Sequence, residues 1–204
     1  MGTNTPFSPE FVIIIGSIAG LLFSDYYLTL LGYSLYKKYS SSKLEFEHYE
    51  LNPLWQQSIQ KFKKLNPIHI FFVLTSLFLV SLVWIIDLQP FQFFIGIIVI
   101  PYLIVNLQHL GNILNFYHLK KRPQDIQGKQ KLSHVYVLKS SLLRLTQFEL
   151  LLIFLAIIEK SLIIFGGILG LTFLLIRFWF LYWKEYQKEI STSFENTNDE
   201  TPST

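Results

Sequence analysis

The side chains best suited to chemistry in this sequence lie inside otherwise apolar stretches. Asp25 and Thr29 are four residues apart, and Asn106, His109 and Asn112 recur every three residues. Either spacing places its members on one face of a helix. Ionisable and amide groups are costly in hydrocarbon unless they are paired or hydrated, so both faces are expected to point into a helical bundle.

Two arginines also interrupt apolar stretches. Counted from the outer end of each predicted helix at 1.5 Å per residue, Asp25, Asn106, Arg144 and Arg177 all lie roughly 22 to 26 Å below the outer membrane surface. Four helices are therefore expected to bring polar groups to one layer in the inner third of the bilayer. The predicted ligand-binding residues are Asp25, Thr29, Glu50, Asn52, Asn106, His109, Asn112, Arg144 and Arg177.

This layer has two interpretations, apart from arrangements in which these residues do not meet. In the structural one, Asp25 pairs with Arg144 or Arg177, and Asn52 with the proline after it only begins a helix. In the functional one, four of the polar residues surround a small cavity that faces the cytoplasm, namely Asp25, Glu50, Asn106 and His109.

The chemistry that such a cavity could perform is only partly defined by the sequence. Two carboxylates and an imidazole are adequate ligands for zinc, manganese or iron. The chain, however, has no Cys, no His-Glu-x-x-His motif and no second His one turn from His109. No metal site is predicted, and no cofactor is assigned. A Gly-x-Ser-x-Gly motif is absent as well, which disfavours serine hydrolysis.

The elements that position these residues are long apolar segments. Half of the chain is hydrophobic, at 51%, and only 15% is charged, too little charge to coat a soluble domain of this size. Each segment has close to the ~20 residues that cross a ~30 Å hydrocarbon core. We predict an all-α integral membrane bundle of five transmembrane helices, at about 11–36, 68–86, 91–117, 134–158 and 162–184.

Charge distribution predicts the orientation. Of the 17 Lys and Arg residues, all except Lys160 fall in segments that this topology places on one side of the membrane. The positive-inside rule makes that side cytoplasmic, with the N-terminus out and the C-terminus in. The sequence thus predicts a multi-pass protein of the cell membrane. The lysines are expected to meet anionic headgroups at the cytoplasmic face, and no nucleic-acid motif is present.

The segments outside the bilayer are also interpretable. Apolar residues at helical spacing over 52–65 predict an interfacial amphipathic helix, with Trp55 and Phe62 in the headgroup zone. Residues 1–189 form the single transmembrane domain, and the polar tail 190–204 is predicted to be disordered and cytoplasmic. Small residues at i and i+4 favour close helix packing, either within the bundle or in a homodimer, at Gly16/Gly20 and at Gly166/Gly170.

Two short motifs resemble those of a known protein family. Asp25-x-x-x-Thr29 on the first helix is followed by Glu50-x-Asn52-Pro53 in the next loop. This combination resembles an uncharacterised family of small prokaryotic polytopic membrane proteins with a D-x-x-x-T helix and an E-x-N-P element. The resemblance covers about the first third of the chain, and it implies no activity.

Three functions are compatible with these observations. The first is a polytopic membrane protein with an inner-leaflet polar site for a small ligand, ion or lipid headgroup. The second is a membrane-embedded enzyme acting on a lipid or isoprenoid phosphate, with Arg144 and Arg177 holding phosphate and Asp25 or His109 transferring a proton. The third is a structural or assembly partner of another membrane protein.

Overall fold

The protein is a bundle of α-helices, here described from a computed structural model over residues 8–47, 49–50, 52–86 and 88–199. Five of its helices are long and apolar enough to cross a membrane, which confirms the predicted fold class. A two-stranded sheet, which was not predicted, joins two loops. The elements are α1 (Pro9–Leu35), β1 (Leu44–Phe46), α2 (Pro53–Gln60), α3 (Pro67–Ile86), α4 (Leu88–Lys121), β2 (Gln130–Leu132), α5 (His134–Glu159) and α6 (Leu162–Asp199).

Helix boundaries follow from local capping chemistry. The Ser8 hydroxyl accepts a hydrogen bond from the Phe11 amide at 3.2 Å, and Pro9 occupies the first turn of α1. Ser133 caps α5 in the same way. At the other end of α5, Lys160 adopts a left-handed conformation with φ 47°, which ends the helix and turns the chain directly into α6.

Helix α4 is the central element, since it packs along α1, α3 and α6. Its contact with α6 depends on glycine. A Cβ atom on Gly166 would lie 2.0 Å from the Phe93 carbonyl oxygen, and one on Gly96 would lie 2.1 Å from the Ile163 carbonyl oxygen. By contrast, α5 packs along α6 and makes no comparably extensive contact with α1 or α4 in the described residues.

The two predicted glycine motifs therefore differ. Gly166 and Gly170 face α4 inside the bundle, so their face has no room for a second chain. Apart from the helix's own backbone, no atom of the described residues lies within 4 Å of the Cβ positions of Gly16 and Gly20, so this motif packs against no other described helix. A homodimer through Gly16 and Gly20 stays a prediction.

The end of the bundle that carries most of the lysines, called the basic end below, is covered by the first two loops. Strands β1 and β2 pair in parallel, with Leu44 opposite Gln130 and Phe46 opposite Leu132. The Lys43 ammonium donates hydrogen bonds to the carbonyl oxygens of Pro123 and Ile126. Parallel pairing needs a long crossover, and here α2, α3 and α4 supply it.

The predicted interfacial helix is shorter and more buried than expected. It ends at Gln60, because Phe62 adopts a positive φ of 50°. Trp55 and Ile59 are buried against the bundle, where the Trp55 ring meets the His69 ring edge to face at 5.0 Å. Trp55 therefore packs on protein, and its predicted depth in the headgroup zone stays a prediction. Leu51, which completes the predicted apolar face, lies outside the described residues.

The C-terminal segment also differs from expectation. Helix α6 continues to Asp199, whereas composition predicted disorder from residue 190. Once a helix is established, each added residue gains a backbone hydrogen bond without needing to bury apolar surface. Residues 200–204 lie outside the described part of the chain.

Candidate functional site

A cavity of about 610 Å³ lies near the basic end of the bundle. Helices α1, α4, α5 and α6 form its walls, and five residues that follow α1 complete the lining: Phe46, Tyr49, Glu50, Asn52 and Trp55. Every predicted site residue except Asn106 lines this cavity. The two motifs, which are far apart along the chain, thus meet at one place.

The Asp25 carboxylate is held by His109 deep in the cavity. Asp25 is only 3% exposed, and its Oδ1 lies 3.1 Å from His109 Nε2. Thr29 Oγ1 donates to the Asp25 backbone carbonyl at 2.8 Å, so it must accept from the same Nε2, at 3.1 Å. Nε2 therefore carries the proton, and in the neutral ring Nδ1 keeps a free lone pair for a ligand.

The second motif forms a turn that reaches α6. Glu50 Oε1 accepts a hydrogen bond from the Asn52 amide at 2.7 Å. Asn52 Oδ1 caps α2 through the Leu54 amide at 3.2 Å and also accepts from Arg177 Nη2 at 2.9 Å. One asparagine side chain therefore begins a helix and positions an arginine from the last transmembrane segment.

The protonation of Glu50 is set by its surroundings. Burial raises the pKa of Glu50 to about 7, although the Asn52 N–H bond, His109 and Arg177 act in the opposite direction. Burial also raises the pKa of the neighbouring Tyr49 phenol, which stays neutral and can donate a hydrogen bond. The cavity thus holds one carboxyl group that titrates near neutral pH.

Neither arginine forms the ion pair that the structural interpretation expected. Asp25 interacts with His109, and Arg177 bonds the neutral Asn52 amide oxygen. Arg144 lines the cavity without a hydrogen-bond or ion-pair partner among the described residues. The predicted pairing of Asp25 with an arginine is therefore wrong, because His109 holds the Asp25 carboxyl group and Asn52 holds Arg177.

Asn106 has a different position and a structural role. Its side-chain amide donates to the carbonyl oxygens of Leu21 at 3.0 Å and Tyr102 at 2.8 Å, and its Oδ1 accepts from the Ser24 hydroxyl at 3.0 Å. The bonds to Leu21 and Ser24 tie α4 to α1 beside the cavity, and the bond to Tyr102 lies within α4. Asn106 is therefore not among the residues that line this cavity, and its predicted role in ligand binding stays a prediction.

Sequence reasoning missed other polar groups in the cavity wall. Ser140 and Ser141 lie one turn before Arg144 on α5, and their spacing from it was a readable signal. Tyr49 precedes Glu50 and packs against Gly32, where a Cβ atom would meet the Tyr49 hydroxyl. Nothing in the sequence alone placed Gln108 in this wall.

The remaining wall of the cavity is apolar and extends to the surface of the helical bundle. Ile97, Pro101 and Val105 of α4 face it, together with apolar residues of α6. Phe173 and Arg177 also line a shallow groove on α6 that contains Phe180 and Trp183. The cavity therefore adjoins a surface that contacts lipid when the helices span a bilayer.

Within the described residues, no group of three His, Cys, Asp or Glu side chains is placed to hold a metal ion. The chain matches no family model, no curated protein and no solved structure. Membership of the family with the D-x-x-x-T and E-x-N-P motifs stays a prediction.

Proposed function

We propose that this multi-pass membrane protein binds a lipid of the cell membrane, with the lipid headgroup in the polar cavity and the acyl chains toward the groove on α6. The observation that carries this proposal is that a polar surface and an apolar surface are continuous in one cavity. Asp25, Glu50, Arg144 and Arg177 provide a polar region, and apolar walls lead from it to a lipid-facing groove.

The size and packing of the cavity support a lipid ligand. Pockets for small molecules usually measure about 300 to 1,000 Å³, a range that includes this cavity. Because α5 packs mainly on α6, the side of the cavity between α5 and the α1–α4 pair is not closed by helix packing. A ligand dissolved in the bilayer therefore has a lateral route of entry.

Phosphate-ester hydrolysis is a second candidate function, favoured by one specific observation. His109 Nδ1 has a free lone pair in the tautomer fixed by Asp25, so it is suited to accept a proton from an attacking water. Glu50, with its pKa raised to about 7, is suited to return a proton to the leaving group. Incubation with a lipid phosphate, followed by phosphate release, tests this function.

The binding proposal is tested by filling the cavity. Ser141 on α5 lines it, and Ser141→Trp places an indole ring in the space for the headgroup. Leu151→Trp, on an exposed position of the same helix, is the matched control. Lipid retained through purification in mild detergent is counted by native mass spectrometry. We expect retention in the wild type and Leu151→Trp and loss in Ser141→Trp.

Equal lipid retention in all three proteins would overturn the binding proposal. If none of them retains lipid but each co-purifies with the same membrane protein, the role as an assembly partner is favoured instead.

A further inference from the structure

The cavity contains charges of both signs that do not pair with one another. Asp25 is hydrogen-bonded to His109. Glu50 accepts from the backbone N–H of Asn52, and Arg177 donates to the side-chain oxygen of Asn52. Arg144 has no such partner within the described residues. Two carboxyl groups and two guanidinium groups thus line one space in which no carboxyl group contacts a guanidinium group.

This separation leaves charges of both signs available to a ligand. Asp25 is buried, whereas Arg144 and Arg177 are exposed, and opposite charges attract more strongly where the dielectric constant is low. In this cavity, the Asn52 backbone amide bonds Glu50, the Asn52 side chain bonds Arg177, and the His109 ring bonds Asp25. A ligand that carries both signs can satisfy both sets at once.

From this arrangement we infer that the ligand headgroup combines a phosphate ester with a primary ammonium, as in phosphoethanolamine. This inference rests on the proposed lipid-binding function. Arg144 and Arg177 hold the phosphate oxygens, for which the planar guanidinium is well matched. Glu50 and the free Nδ1 of His109 accept hydrogen bonds from the ammonium, whose charge Asp25 also stabilises.

The acceptors favour a primary ammonium over the alternatives. A primary ammonium has three N–H donors, whereas a trimethylammonium has none and would leave the Glu50 and His109 acceptors unpaired. A purely anionic headgroup would satisfy the arginines but would lie beside the two carboxyl groups without a cation between them. Soluble glycerophosphoethanolamine carries the same phosphate and ammonium groups. The apolar wall of the cavity favours the lipid over this soluble compound, because only the lipid has acyl chains to contact it.

The inference is tested with lipids that share acyl chains and differ in headgroup. The protein is depleted of lipid and titrated with phosphatidylethanolamine, phosphatidylcholine, phosphatidylglycerol or phosphatidic acid, and bound lipid is counted by native mass spectrometry. We expect phosphatidylethanolamine to bind about tenfold more tightly than each of the others, which corresponds to about 1.4 kcal/mol. Ser141→Trp should abolish the difference.

Two variants separate the two halves of the headgroup. Arg144→Gln should weaken phosphatidylethanolamine and phosphatidic acid by a similar factor, about tenfold. Glu50→Gln should weaken phosphatidylethanolamine but leave phosphatidic acid unchanged or bound more tightly. Lys139→Gln, which removes a cation from an exposed position of α5 outside the cavity, is the control and should change neither.

The outcomes distinguish this inference from the function on which it rests. If Ser141→Trp binds all four lipids as the wild type does, lipid binding in the cavity fails, and the inference fails with it. If binding needs the open cavity but phosphatidic acid or phosphatidylglycerol binds as tightly as phosphatidylethanolamine, only the headgroup assignment fails. Displacement of phosphatidylethanolamine by an equal concentration of glycerophosphoethanolamine would overturn the lipid as the ligand.

Discussion

The two halves of the bundle are packed by different means. Away from the basic end, Gly96 and Gly166 bring the α4 and α6 backbones together, with carbonyl oxygens where Cβ atoms would otherwise be. Near the basic end, α4 and α6 carry longer side chains around a cavity of about 610 Å³. Lipid tails are as apolar as leucine, so close packing is one of the few sources of stability between membrane helices. The close contact at Gly96 and Gly166 therefore stabilises the bundle, while the half near the basic end keeps its cavity.

Helix α5 packs along α6 and is joined to it by the tight turn at Lys160, at the end away from the cavity. At the basic end it is attached through β2 and through the His134 amide, which donates to Glu47. One wall of the cavity is thus fixed at its two ends and packs mainly against α6 between them.

The largest effect is expected where the two backbones touch. In Gly166→Ala the new methyl group would lie 2.0 Å from the Phe93 carbonyl oxygen, so one backbone must shift. We expect a loss of about 3 kcal/mol of stability, measured by thermal or denaturant unfolding in detergent. Gly16→Ala, where no atom lies within 4 Å, is the control and should change stability by less than about 1 kcal/mol. Equal stability of the two variants would contradict the glycine contact.

The cavity half should respond to pH through Glu50. Its pKa is about 7 in the folded protein and near 4.5 in the unfolded chain, so the folded state binds the proton more tightly. The resulting stabilisation is fully present below pH 4.5 and is lost as the pH rises through 7.

The measurement compares lipid-depleted wild type with Glu50→Gln. Between about pH 5 and pH 8, the wild type should lose about 2 kcal/mol relative to Glu50→Gln. Glu159→Gln, at the exposed opposite end, should retain the wild-type slope. If the stability of wild type and of Glu50→Gln changed with pH in the same way, Glu50 would have the same pKa in the folded and unfolded protein.

A smaller effect should separate two asparagines of the same helix. Asn106→Leu removes the hydrogen bonds that tie α4 to α1 and should cost about 1 kcal/mol, at ~0.6 kcal/mol for each interhelical bond, without changing lipid retention. Asn112 lines the cavity and has no hydrogen-bond partner in the described part of the chain. Asn112→Leu should therefore leave stability unchanged and reduce lipid retention. The reverse pattern would exchange the roles assigned to these two residues.

The smallest effect on stability is expected from single cysteine substitutions that report the orientation of the bundle in the membrane. The chain has no Cys, so single cysteines can report which end faces the cytoplasm. Ser42→Cys at the basic end and Glu159→Cys at the opposite end both replace exposed residues. In intact cells, a membrane-impermeant maleimide should label Glu159→Cys and not Ser42→Cys. Labelling of Ser42→Cys alone would reverse the predicted topology.

Much of the fold was readable from the sequence. The number and class of the transmembrane helices were confirmed. They were predictable because a segment that crosses lipid must satisfy its own backbone as a helix and must be apolar along its length. Helical spacing also identified polar faces that do reach the cavity, including Asp25, Thr29 and His109. The hydrogen-bond capacity of a loop residue such as Glu50 was visible, but its distance from α6 was not.

The sequence by itself determined which segments cross the membrane and which polar side chains had to lie inside the bundle, since both depend on the cost of exposing polar groups to hydrocarbon. Only the tertiary structure decided the partners of those side chains. His109 rather than an arginine holds Asp25, Asn106 belongs to a helix interface, and Arg144 remains without a partner among the described residues. Those choices depend on distances between helices, which are set by glycine contacts such as Gly166 against Phe93 and by the pairing of β1 with β2. Periodicity along one helix carries no information about such distances.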